Sequence, residues 1–343
     1  MNTQSSQPLA GRMKWLFGPC AGIRVSPDAG RGSPGRISPG CWAGVGFRCF
    51  LILALAGSAV CVHGQQAPSE EVDFHRAPEA WAMKYFASAM LFTGYGAPKR
   101  MEPWETVLSL EFIHLPTLDE EEQRVGFGGS KPEDLNKAPA IIRPRLTIGL
   151  PAHFSATFSY APPLDAFDAR AALYAVSLNR PLRETESFRL GARVFGQYSH
   201  VRGSFTCPDD HWHEPEYAPF CSGASHDTLG VIVHGIELAM SYRLDGIPGV
   251  ETDLVTYAGI SGQYMDLEFE VDAPRSNPVR RDNRRLYTDG YTWAATAGLS
   301  YPVTDRIDLT GGFFYTPLSV QRPGKDRRTE TLLHSRVQVS YSF

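Results

Sequence analysis

The residues of this chain best able to do chemistry have charged side chains, and they recur at alternating positions of apolar stretches. A period of two places such charges on one face of each β-strand, opposite an apolar face. Arginines outnumber acids in the set. They could line a narrow pore that prefers anions, or fill an interior with ion pairs and hydrogen bonds. The set consists of Glu105, Glu111, Arg143, Arg145, Arg189, Arg193, Glu237, Arg243, Asp308 and Arg336.

A second group of polar residues lies in the loop 207–221, where His211 and His213 stand beside Asp209 and Asp210. Neutral imidazole is a common metal ligand, so this loop could bind a divalent ion. A His-x-His pair without a third ligand at a defined spacing is a weak metal pattern. We therefore expect no metal and no other cofactor, and interpret the loop as solvated and polar.

A hydrolase site at one rim is a third hypothesis. Ser225, His226 and Asp227 are adjacent in the sequence, and three adjacent residues cannot normally face one another as a catalytic triad. The sequence contains no G-x-S-x-G, H-E-x-x-H or phosphate-binding loop. We assign no catalytic residue.

The elements that must position the alternating charges are ten predicted β-strands. An even strand number, short connections alternating with long ones, and aromatic residues near strand ends are typical of a transmembrane barrel. A charge facing lipid at the midplane would cost about 2–4 kcal/mol, so the charged face is expected to be the lumen. Eight or twelve strands remain alternatives, and a soluble sandwich would also alternate. The predicted ranges are 104–114, 139–150, 153–162, 169–179, 187–201, 229–244, 252–267, 290–301, 306–317 and 332–343.

The last stretch, residues 331–343, alternates strictly and ends on an aromatic side chain. Leu333, Val339 and Tyr341 share one face with Phe343. This stretch resembles the terminal assembly signal of bacterial outer-membrane β-barrel proteins, with Tyr341 and Phe343 as its aromatic residues. The resemblance implies an all-β, antiparallel up-and-down barrel over residues 104–343, located in the outer membrane. It also implies outer-membrane lipid, the export machinery and the barrel-assembly machinery as partners.

Residues 48–64 have the features of a secretory signal peptide, with Arg48 before a short apolar core and cleavage expected after Gly64. Residues 1–47 are rich in Gly, Pro, Ser and Arg. We interpret them as a disordered extension or as a misassigned start, with translation beginning near Val45.

Residues 65–103 are predicted to contain a short periplasmic tail and then an ambiguous apolar stretch, residues 80–93. That stretch alternates poorly and has a passable helical spacing. A helix at the membrane interface, an extra strand and a plug inside the barrel are three open alternatives.

Removing residues 1–64 leaves 27 Lys and Arg against 36 Asp and Glu, a net charge of −9. An acidic chain argues against nucleic-acid binding. Two cysteines remain, and such a pair in an exported protein predicts a disulfide between Cys207 and Cys221. The foremost functional hypothesis is a passive narrow pore or small-solute channel. A sealed structural or adhesive barrel acting through its outer loops comes second, and a rim-sited hydrolase third.

Overall fold

The computed structural model describes residues 68–163, 169–244, 253–277 and 279–343. The extension, signal peptide and cleavage site expected in residues 1–64 lie outside the described residues. Among the residues described, no helix is long and apolar enough to cross a membrane.

Ten antiparallel strands close into a barrel within the described residues, which confirms the predicted fold class. Each strand pairs with its neighbours in sequence, and the last pairs with the first, with Tyr341 opposite Leu108. This pairing leaves the sheet without an open edge. The strands are β1 (Thr106–His114), β2 (Ala140–Gly149), β3 (Ser155–Ala161), β4 (Ala169–Glu184), β5 (Phe188–Gly203), β6 (Asp227–Arg243), β7 (Val255–Glu270), β8 (Arg285–Thr304), β9 (Ile307–Val320) and β10 (Arg328–Ser342).

Some strand ends differ from the prediction. β4 continues to Glu184, and β8 begins at Arg285 and ends at Thr304. The C-terminal extensions of β4 and β8 each pass a proline at a register shift, Pro181 and Pro302. A proline within a stretch argues against a strand unless it lies at a bulge, so the sequence predicted an earlier end. The predicted start of β1 at Trp104 is wrong, because this residue has φ of 73° and lies in the turn before the strand.

The outward face of the barrel is apolar. On β1, Leu108, Leu110 and Phe112 are 47%, 40% and 41% exposed, whereas the intervening Ser109 and Glu111 are buried. The same division recurs around the ring, so the apolar surface is continuous. Soluble monomers rarely expose apolar patches larger than a few hundred Å². This surface is therefore suited to the hydrocarbon of a membrane.

The two ends of the barrel differ in their connections. The long-loop end carries residues 115–139, 204–226, 271–284 and 321–327. Within these loops Arg124–Val125 pairs with Lys131–Pro132 around a short helical turn at Gly126–Gly129, and Ala273–Arg275 pairs with Arg280–Asp282. The opposite, short-turn end carries tight connections such as the 3-10 turn Pro151–His153.

Residues 68–105, which we call the plug segment, run through the barrel interior. Ser69–Glu71 pairs in parallel with the first residues of β8 at the long-loop end. Helix α1 (Pro78–Ala89) follows, with proline in its first turn, and is buried along almost its whole length. The segment then descends to the short-turn end, where the Trp104 N–H donates to the Gly149 carbonyl at 2.9 Å. Of the three alternatives for residues 80–93, the structure has the plug.

Candidate functional site

One buried carboxylate, that of Glu111 on β1, organises the middle of the lumen. Its Oε2 accepts from Arg143 Nε at 2.6 Å and from Arg145 Nη2 at 2.6 Å. Its Oε1 accepts from Tyr95 Oη at 2.9 Å and lies 3.4 Å from Arg336 Nη1. The register explains the arrangement, because Glu111 stands opposite Arg143 on β2 and opposite Gln338 on β10. Period two then places Arg145 and Arg336 on the same inward face.

The same three arginines bind the backbone of the plug segment. Arg143 Nη1 donates to the Met90 carbonyl at 2.9 Å, and Arg336 Nη1 donates to the Leu91 carbonyl at 2.7 Å. These carbonyls follow the last turn of α1, where a helix leaves backbone acceptors unpaired and favours a positive charge. The guanidinium groups therefore act as the C-terminal cap of the plug helix.

Aromatic rings complete this group, which we call the arginine clamp. The guanidinium carbons of Arg143 and Arg145 lie 5.2 Å and 4.6 Å from the ring centre of Phe92. The guanidinium of Arg336 lies 3.9 Å from the ring of Phe314. Such contacts stabilise a cation that has lost its water. One carboxylate, several carbonyls and two rings thus compensate three buried cations.

A second clamp holds the plug segment nearer the short-turn end. Glu237 Oε1 lies 2.6 Å from Arg193 Nη1, and its Oε2 accepts from the Gly94 N–H at 3.0 Å. Arg193 Nε also donates to Asn179 Oδ1 at 2.7 Å. A Cβ on Gly94 would come within 2.0 Å of the Arg193 guanidinium carbon, so a residue without a side chain suits this approach.

The remaining predicted lumen residues line an open vestibule at the short-turn end, with a cavity volume of about 440 Å³. Glu105, Arg189, Arg243 and Asp308 all lie there. Glu105 also accepts from the Glu102 N–H at 2.9 Å, just before β1 begins. The predicted set is therefore divided between the two clamps and this vestibule.

The long loops form a cap at the other end of the barrel. The predicted disulfide between Cys207 and Cys221 is confirmed, with an S–S distance of 2.07 Å. Its sulfurs pack in a small apolar cluster with Tyr217, Val271 and Ala273. The cap is thus tied both covalently and by a local core.

The polar residues of this cap form contacts that anchor loops. Asp227 Oδ2 accepts from Ser225 Oγ at 2.7 Å and from the Thr206 N–H at 2.6 Å. His211 Nδ1 pairs with Glu214 Oε1 at 2.8 Å. Among the residues the structure covers, no three of His, Cys, Asp and Glu are grouped to hold a metal ion.

Sequence reasoning named a plug as one alternative for residues 80–93 but did not identify it as the partner of the lumen charges. Lys84 on α1 is also buried, and its Nζ donates to the Ser319 carbonyl at 2.8 Å and to the Phe74 carbonyl. A lysine within an apolar stretch that follows Pro78 was the available signal, since proline favours the first turn of a helix.

Solved structures similar to this chain are outer-membrane barrels at low identity. The outer membrane protease OmpT from Escherichia coli is 12% identical, with a TM-score of 0.35, over 70% of this chain and 94% of that one. The translocator domain of autotransporter NalP from Neisseria meningitidis is 12% identical, with a TM-score of 0.38, over 76% and 93%. The toluene transporter TodX from Pseudomonas putida is 11% identical, with a TM-score of 0.31, over 81% and 78%.

At these identities and TM-scores the likenesses carry no inference about activity. No protein-family model matches the chain, and no curated protein matches it. The architecture defines the class by itself. A closed antiparallel barrel with ten strands, a continuous apolar outer surface and a charged interior has the architecture of a transmembrane β-barrel.

Proposed function

We propose that the chain is a sealed outer-membrane barrel that acts at the cell surface through its long-loop cap. The supporting observation is the plug segment, which crosses the lumen and is held by Glu111 and its three arginines and by the pair Glu237 and Arg193. Outer-membrane barrels generally place their longer loops outside the cell. The geometry thus favours the second sequence hypothesis over the first.

The narrow anion-preferring pore remains a second candidate because arginines line the vestibule and both clamps. A pore would require the plug segment to leave the two clamps. The side chains of the clamps would then lose their buried partners on the plug backbone. Unpaired buried charges cost several kcal/mol, which opposes spontaneous opening.

Single-channel recording of the refolded chain in a planar bilayer tests the proposal, with a heat-modifiable gel band as the control for folding. We expect no discrete current steps from the wild type. Discrete steps that disappear in an oxidised Ala97→Cys, Ser241→Cys double variant would instead establish a pore gated by the plug. These positions are chosen because they are in contact, since the Ala97 N–H donates to Ser241 Oγ at 2.9 Å.

A further inference from the structure

A cavity of about 190 Å³ lies at the long-loop end, between α1 and the cap loops. It is separate from both clamps and from the vestibule at the other end. Its walls are mainly apolar and come from the helix, the cap and the adjoining strand ends. The apolar side chains include Met83, Phe86, Phe127, Leu135, Phe205 and Phe269.

One carboxylate in this wall has an unused oxygen. Glu133 is only 8% exposed, and its Oε1 lies 3.2 Å from Lys131 Nζ. Within the described part of the chain its Oε2 is buried and has no hydrogen-bond partner. Leaving a buried acceptor unpaired is energetically unfavourable. Glu133 lines the cavity, so the wall contains one carboxylate whose hydrogen-bonding capacity is not filled.

Lys131 does not also donate to Glu133 Oε2, because its ammonium donates to the Pro132 carbonyl at 3.1 Å and to the Thr206 carbonyl. The other acids of the lining, Glu70 and Glu79, add negative charge. The lining cation, Arg284, already pairs with Asp282 at 3.1 Å. The charge balance thus disfavours an anion.

We propose that this cavity binds a small apolar molecule with a single ring and one hydrogen-bond donor, an amine or a hydroxyl, that donates to the Glu133 carboxylate. The volume supports one ring, since an apolar cavity of ~150 Å³ holds benzene. The inference rests on the proposed function, because it names what the cap of a sealed barrel binds.

Three fluorinated probes of similar size separate the contributions of shape and hydrogen bonding. Near neutral pH 4-fluorobenzylamine is an ammonium ion, which only donates hydrogen bonds. 4-Fluorobenzonitrile only accepts them, and 4-fluorotoluene neither donates nor accepts. Fluorine NMR titrations of the refolded full chain in micelles would measure each affinity. Hydrogen bonds to charged groups contribute about 1.5–3 kcal/mol, so the amine should bind roughly tenfold or more tightly than the toluene.

Glu133→Gln is the decisive variant. Lys131 Nζ needs an acceptor, so the amide oxygen turns toward it and the NH₂ group faces the cavity. We expect the preference to reverse, with the nitrile gaining and the amine losing affinity by about tenfold each. Glu216→Gln, on an exposed cap residue that pairs with Arg124, removes the same charge outside the cavity and should change neither affinity.

Ala82→Phe controls for probe that partitions into micelles. Ala82 lies on α1 and lines the cavity, so an added ring fills it and should abolish saturable binding of every probe. If this variant gives no heat-modifiable band, Glu133→Gln still decides the question. The site is refuted if the wild type binds the three probes equally, or if Glu133→Gln leaves the order unchanged.

The pH dependence provides a further readout. Burial raises the pKa of Glu133 to about 7, with Lys131 opposing the shift and Asp227 and Glu79 adding to it. Amine affinity should therefore fall as the pH drops below 7 in the wild type. If the barrel is sealed but does not bind the probes, the proposed function stands and only this site is refuted. If the barrel shows current steps and still binds the probes, the site stands and the proposed function is refuted.

Discussion

At the scale of single residues, Glu111 has the largest effect on the interior. It is fully buried, and it pairs directly with Arg143 and Arg145 while facing Arg336. Burying any one of these guanidinium groups with only an imperfect ion pair would be unfavourable, because the desolvation penalty exceeds the attraction within the pair. The carbonyls of the plug segment supply the remaining acceptors. The clamp is therefore stable only while the plug segment is in place.

Glu111→Gln should lower the stability of the barrel by about 3–5 kcal/mol, because three buried cations would lose their counter-charge. The urea midpoint of the protein refolded into lipid vesicles measures this loss. Glu216→Gln is the matched control, since that acid pairs at 3.3 Å with Arg124 and both side chains are nearly half exposed. An exposed pair contributes below about 1 kcal/mol. Equal midpoints for the two variants would contradict a structural role for Glu111.

The sequence indicated these charged residues by their alternation but did not show what they contact. Period two assigns Glu111 and Arg143 to one face, and cross-strand register then pairs them. Their backbone partners at Met90 and Leu91 lie on an irregular segment, where no periodicity marks an acceptor. Glu133 gave no signal either, because its loop has no repeating pattern that predicts burial.

At the scale of elements, the strands were predictable, whereas the sequence left the plug as one of three alternatives for residues 80–93. A strand of the barrel faces lipid on one side and the lumen on the other, so its sequence alternates. Helix α1 is surrounded by the barrel wall, and its consecutive buried residues Trp81, Ala82 and Met83 point to different sides. A helix buried all round has no polar face, so its amphipathic pattern is weak.

The disulfide should stabilise the cap rather than the barrel. A loop closed over a separation of 14 residues gains about 3 kcal/mol in the chain-entropy model. We expect a Cys207→Ser, Cys221→Ser double variant to be cut by protease between residues 208 and 220, with fragments identified by mass spectrometry. The heat-modifiable band should persist, because the cysteines pack in a cluster of their own. Reduction of the wild type should reproduce the cleavage, and loss of the band would show that the disulfide supports the whole barrel.

At the scale of the whole molecule, the chain crosses the barrel once before the barrel begins. Ser69–Glu71 pairs with the start of β8 at the long-loop end, whereas β1 starts at the short-turn end with Thr106. Residues near 70 therefore belong to the same side as the cap. The sequence-based expectation of a periplasmic tail at residues 65–79 places them on the opposite side.

Cysteine labelling of intact cells with a membrane-impermeant maleimide decides between these two topologies. Glu70 and Glu186 are both exposed acids, the first at the long-loop end and the second in the turn between β4 and β5. We expect Glu70→Cys to be labelled on intact cells, together with Asp210→Cys in the cap, above the background of the parent chain. Glu186→Cys should react only after the outer membrane is permeabilised. If Glu70→Cys is not labelled while Asp210→Cys is, the plug segment enters the barrel from the periplasm. The two clamps would then have to release the plug segment during assembly.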